Sequence, residues 1–109
     1  MFKILLTVEF ERKLADLDKA EQTIVDKVLL QLESSTGTVE KPLCGLPFFR
    51  EKKFRNKRLY FLVYADKKTI LMVSLSNKKA QQETIDTIRV KLIEYKSFVV
   101  QTLSEKTKN

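Results

Sequence analysis

The sequence predicts an α+β sandwich: an N-terminal strand, a helical hairpin, a three-stranded antiparallel meander and a C-terminal helix. These form one domain over residues 1–103, followed by a frayed polar tail at 104–109. Three observations lead to this prediction. Apolar residues recur at helical spacing before residue 35 and again after residue 80, while the stretch between carries runs rich in β-favouring residues. Both glycines and both prolines fall within residues 37–47, which marks one irregular connection between a helical half and a strand half. A chain of 109 residues, 43% hydrophobic and 32% charged, has the size and balance of a single globular domain.

The elements follow in order. Phe2 to Val8 is apolar and reads as the first strand. Phe10, Leu14 and Leu17 lie on one side of a short helix. Asp18 opens the next helix as a capping residue, with Glu21 three positions on. Ile24, Val25, Val28, Leu29 and Leu32 form the apolar face of that second helix. Gly37 offers a left-handed cap, and the chain continues through Pro42, Gly45 and Pro47 as a loop. Strands are expected at 48–54, 59–64 and 69–75. The first turn falls at Arg55-Asn56-Lys57 and the second at Asp66-Lys67-Lys68. The second and third of these strands are apolar at almost every position, as central strands are. Ser76 or Asn77 caps a last helix over 80–99, in which Ile85, Ile88, Leu92, Tyr95 and Val99 share one side.

Composition excludes several kinds of chemistry. The chain has no histidine and one cysteine, Cys44, so it holds neither an internal disulfide nor a Ser-His or Cys-His nucleophile pair. No metal site and no cofactor are expected. No apolar run is long enough to cross a bilayer, and the start of the chain lacks the pattern of a signal peptide, which sets the expected compartment as the cytoplasm. The formal net charge of +7 is unevenly spread. Residues 1–40 hold five basic against eight acidic side chains, whereas residues 41–109 hold sixteen against six. Within 41–58, seven cations face a single acid, Glu51. Such a stripe favours a polyanionic partner.

The informative stretch is LCGLPFFREKKFRNKRLYFLVY, Leu43 to Tyr64. Alternation places Arg50 and Lys52 on one face of the strand and Glu51 and Lys53 on the other. If helices cover one face of the sheet, the other is expected to present cations beside Phe and Tyr rings, a combination that suits phosphates and unpaired bases. A Leu-x-Gly start, an aromatic-basic strand, a short turn and then Arg-Leu-aromatic-aromatic resemble the core of RelE/ParE-family toxins. The order of elements over residues 2–90 resembles that family as well.

The resemblance implies a toxin of a toxin-antitoxin system. Its RelE-like members are endoribonucleases that act on mRNA in the ribosomal decoding site. They cut by attack of a ribose 2′-hydroxyl on the adjacent phosphate and are silenced by a wrapping antitoxin. Carried onto this chain, it implies catalytic roles for Arg58, Lys52 and Lys53. It implies RNA contacts for Arg50, Arg55, Lys57, Lys78 and Lys79. The expected partners are a cognate antitoxin and ribosome-bound mRNA, with no membrane and no small-molecule cofactor. Arg58 has the fork to hold a phosphate bidentately, and Lys52 or Lys53 would move the proton. The plain alternative for Arg58 is a salt bridge to Glu51 on the neighbouring strand. The family's late Tyr or His has no counterpart, since Ile85, or Thr84 beside it, occupies the best-matching position; Tyr60, Tyr64 and Tyr95 are the other rings. Two further readings stand beside the nuclease. One is a ParE-like toxin acting on DNA gyrase, and the other is a non-catalytic member that binds RNA or antitoxin.

Overall fold

The computed structural model describes residues 1–34 and 41–107. Strand β1 (Lys3–Leu6) leads into helices α1 (Val8–Ala15) and α2 (Lys19–Ser34). Strands β2 (Lys41–Leu43), β3 (Leu46–Phe54), β4 (Lys57–Tyr64) and β5 (Thr69–Asn77) follow, and the chain ends in helices α3 (Gln81–Val90) and α4 (Leu92–Thr107). The strands form one sheet in the order β1-β5-β4-β3-β2. The three long strands are the expected antiparallel meander, and β1 joins β5 in parallel.

Local chemistry explains the hairpin. The Thr7 hydroxyl accepts from Phe10 N at 3.0 Å, capping α1, and donates to Val73 O at 2.8 Å, which ties that cap to the centre of the sheet. Asp18 Oδ1 accepts from Glu21 N at 2.7 Å and so performs the capping read from the sequence. Gln22 Nε2 donates to Leu14 O and Leu17 O, satisfying carbonyls at the end of α1. The Gly37 cap lies outside the described residues.

Four features differ from the sequence expectation. The connection through Pro42, Gly45 and Pro47 is a hairpin, not a loop. Leu43 pairs with Leu46 across a two-residue turn in which both Cys44 (φ 55°) and Gly45 (φ 67°) are left-handed, the pattern of a type I′ turn. The C-terminal helix is two helices, because the chain turns at Lys91 while Ile85, Ile88 and Val99 pack into one cluster. Helix α4 then runs past Ser104 to Thr107. Most consequentially, helices cover both faces of the sheet. Phe10, Val25, Val28 and Leu32 pack on Leu59, Phe61, Ile70 and Met72. Ile85, Ile88 and Val99 pack on Phe49, Tyr60, Leu62, Leu71 and Val73 of the opposite face. The two-sided apolar character of β4 and β5 is therefore fully used, and no broad face remains open for cations and rings. Among the described residues, Lys53, Arg55, Lys78 and Lys79 are exposed at one end of the sheet.

Candidate functional site

The β3–β4 hairpin sets the geometry. Phe54 pairs with Lys57 across the two-residue turn Arg55-Asn56, so Lys53 lies opposite Arg58 and Glu51 opposite Tyr60. The left-handed residue of this turn is Arg55 (φ 52°), not the asparagine expected from the sequence. Residues opposite one another share a face. Lys53, Arg58, Glu51 and Tyr60 accordingly line the face covered by α3. Arg50, opposite Phe61, and Lys52, opposite Leu59, lie on the face of α1 and α2. The structure thus brings Lys53 to Arg58 and keeps Lys52 and Arg50 on the other side of the sheet. Lys57 belongs with that other face, and Arg50 Nε donates to Pro47 O at 2.5 Å.

Arg58 is 5% exposed and Glu51 is also 5% exposed. Their closest approach is 3.9 Å, from Nε to Oε1, an ion pair without a hydrogen bond. Arg58 Nη1 donates to Lys57 O at 3.1 Å, while its buried Nε finds no hydrogen-bond partner among the described residues. Glu51 is held from its other oxygen, where Gln81 Nε2, in the first turn of α3, donates to Oε2 at 2.8 Å. Beside this pair, Tyr60 Oη and Ser76 Oγ are 2.8 Å apart. The Ser76 hydroxyl donates to Asn77 O at 2.9 Å, which leaves the phenol as the donor in the Tyr60–Ser76 bond.

The three tyrosines are not bases at neutral pH. Burial pushes the Tyr60 phenol up; the Ser76 hydrogen bond opposes this, the Glu51 charge adds to it, and the Arg58 charge opposes it. Burial, with Tyr95 nearby, pushes Tyr64 up to about 12. Burial, then Glu9 and Glu94, raises Tyr95. Tyr60 is wholly buried and is not a surface for stacking. Of the phenylalanines in the motif, Phe49 and Phe54 join the two core clusters and Phe48 is exposed. Ile85 sits in the core.

Beyond the cluster, the end of the sheet at the β3–β4 turn is cationic. Lys78 N donates to Asn56 O at 2.8 Å, which joins the bend after β5 to the β3–β4 turn. Asn77 Oδ1 accepts from Ala80 N at 2.9 Å and fixes the start of α3. Between these tethers lies an open depression of about 550 Å³ lined by Asn56, Asn77, Lys78 and Lys79. Its lining residue Asn77 follows Ser76, the register partner of Arg58, along β5; Arg58 does not line it. Arg55, Lys53, Lys78 and Lys79 are exposed around this end of the sheet.

Glu51, Ser76 and Gln81 are the members of this cluster to which the sequence reading assigned no site role. Alternation already put Glu51 on the face of Lys53. Ser76 and Gln81 carried no such signal, because their positions depend on the β4–β5 register and on where α3 lands.

No protein-family model matches the chain, and no curated protein matches it. Solved structures do. The E. coli RelE toxin in the free state, a double-arginine mutant, superposes with a TM-score of 0.70 at 19% identity over 84% of this chain and 97% of that one. The chain has the RelE-like toxin fold. The isolated E. coli RelE toxin gives a TM-score of 0.62 at 19% identity over 81% and 99% of the two chains. The RelBE2 toxin-antitoxin complex of Mycobacterium tuberculosis gives 0.61 at 17% identity over 70% and 96%. In this RelE-like chain the Arg58 cluster lies between the end of the meander and α3.

Proposed function

We propose that this chain is a RelE-like toxin that cleaves mRNA on the ribosome and is held in check by a cognate antitoxin. The observation that carries the reading is Arg58: a guanidinium buried at the head of a cationic rim, its Nε without a hydrogen-bond acceptor, on a fold shared with RelE toxins. A buried guanidinium with an unused donor is able to take an anion's oxygen.

In this reading Arg58 takes the non-bridging oxygens of the scissile phosphate and stabilises the charge that grows as the 2′-oxygen attacks. Attack forms the 2′-O–P bond as the 2′-hydroxyl proton passes to water, and expels the 5′-oxygen, which takes a proton from the Lys53 ammonium, leaving a 2′,3′-cyclic phosphate and a 5′-hydroxyl. The register position of Lys53 opposite Arg58 supports this role for it. Lys52 is across the sheet and contributes at most through the flanking RNA. Arg55, Lys78 and Lys79 steer the backbone over the depression. The reading of a non-catalytic or gyrase-directed toxin is favoured by one observation, the core position of Ile85 where a base or stacking ring is expected.

Purified protein added to ribosomes programmed with a defined mRNA tests the proposal. New 5′ ends that require the ribosome support it. Intact mRNA, with supercoiling by gyrase inhibited, would replace it with the gyrase-directed reading.

A further inference from the structure

We infer that Glu51, gripped by Gln81, is a built-in competitor for the Arg58 phosphate site, and that it must be displaced before an RNA phosphate can bind. The inference rests on the reading of Arg58 as the phosphate-binding residue.

The pair is poorly matched as a permanent ion pair. A carboxylate and a guanidinium that stay together normally form short, forked hydrogen bonds. Here the separation is 3.9 Å and Arg58 Nε stays unsatisfied, although both side chains are about 95% buried. Glu51 therefore neutralises Arg58 without filling its donors. The reason for the poor fit is visible at the other carboxylate oxygen. Gln81 draws that oxygen toward α3 with a 2.8 Å hydrogen bond. Glu51 is thus shared between the sheet and the first turn of α3.

Two consequences follow. A phosphate with two oxygens free for the fork is a better partner for Arg58 than a carboxylate held off to one side. A phosphate and the Glu51 carboxylate cannot occupy the same flank of Arg58 together, since like charges in a buried site repel strongly. Binding therefore requires the carboxylate to leave Arg58 and swing further toward Gln81. Arg58 is thus masked by its own acid, and Gln81 sets how far that acid stands off from it. Lys53, directly opposite Arg58, adds to the same balance: two cations face each other across the strands with one buried carboxylate beside them. A second anion would relieve that repulsion.

The test is fluorescence anisotropy of a labelled, 2′-O-methylated RNA oligonucleotide, which binds without being cut. Glu51→Gln keeps the shape and the Gln81 contact but removes the charge. It is expected to tighten binding about tenfold, the order of one charge-assisted contact released. Gln81→Ala removes the contact that holds Glu51 off, which lets the carboxylate close on Arg58, and weaker binding is expected. In Glu51→Gln/Arg58→Met, where a neutral pair fills the same volume, the gain is expected to vanish. Unchanged or weaker binding in Glu51→Gln, or tighter binding in Gln81→Ala, with Arg58→Met still weakening the wild type, overturns the competitor while leaving Arg58 as the phosphate site. Arg58→Met without effect in either background overturns both. Thermal unfolding of each variant identifies any that fails to fold, and Gln81→Ala, which leaves both charges of the pair present, keeps the question answerable in that event.

Discussion

In the proposed reading, Arg58 contributes separably to stability and to RNA binding. Removing it leaves the Glu51 carboxylate buried, with Gln81 as its hydrogen-bond donor. Breaking one side of a buried ion pair typically costs about 3–5 kcal/mol, whereas replacing both members with neutral groups of similar volume costs far less. Arg58→Ala is therefore expected to lower the urea midpoint severely, and Glu51→Gln/Arg58→Met to recover most of the loss. A second expectation concerns alkaline pH. The Tyr64 phenol is raised to about 12 from an ordinary 10.0, so the folded state holds this proton more tightly than the unfolded chain does. Stability from this source is complete below pH 10 and is lost as pH rises toward 12. Denaturation midpoints across that window should fall in the wild type and fall less in Tyr64→Phe. At this scale the sequence was readable in part. It marked Arg58 and named Glu51 as its bland partner, but neither the burial of the pair nor the role of Gln81 is a property of local spacing.

The turns show what an element reveals and conceals. The β3–β4 turn was legible from Asn56 between two strands, yet the left-handed residue is Arg55. Register explains this: pairing of Phe54 with Lys57 leaves two residues in the turn and demands a positive φ at the first. A non-glycine there carries strain. Arg55→Gly should raise stability by about 0.5–1 kcal/mol, read as a higher melting temperature. It should also weaken RNA binding if Arg55 contacts phosphate. Gain in both properties would remove Arg55 from the rim. The Cys44-Gly45 turn was read as loop because prolines on either side suggested irregular chain. The short β2 is an edge strand, where proline is tolerated, and Pro42 takes its place there. The break between α3 and α4 left no mark because Lys91 is neither proline nor glycine and the apolar spacing continues through it.

Across the whole molecule, element order and the strand-helix alternation of apolar residues were enough to anticipate the fold. The layer count was not. Runs such as LYFLV and ILMVSL signalled strands buried on both faces, which requires helices on both sides of the sheet, and this signal was outweighed by the expectation of an open cationic face. For the proposed function the consequence is that positive charge would act from one end of the sheet, not from a broad surface. Five cations gather there, at 53, 55, 58, 78 and 79. Contact by all five with single-stranded RNA corresponds to a slope of about −3.5 in log affinity against log salt concentration. Neutralising Lys78 and Lys79 together should reduce that slope by about 1.4. An unchanged slope would place the RNA elsewhere on the molecule.

The central claim is that Arg58 makes this chain a nuclease of ribosome-bound mRNA. Its most direct test is mapping of mRNA 5′ ends in cells after induction, with wild type beside the Glu51→Gln/Arg58→Met variant, whose fold is checked by circular dichroism. The account predicts growth arrest with new cuts in translated frames in the wild type, and loss of both by at least about a hundredfold in the variant, the scale expected when an oxyanion-stabilising group is removed. Arrest without new ends, or cuts that persist in the folded variant, would contradict it.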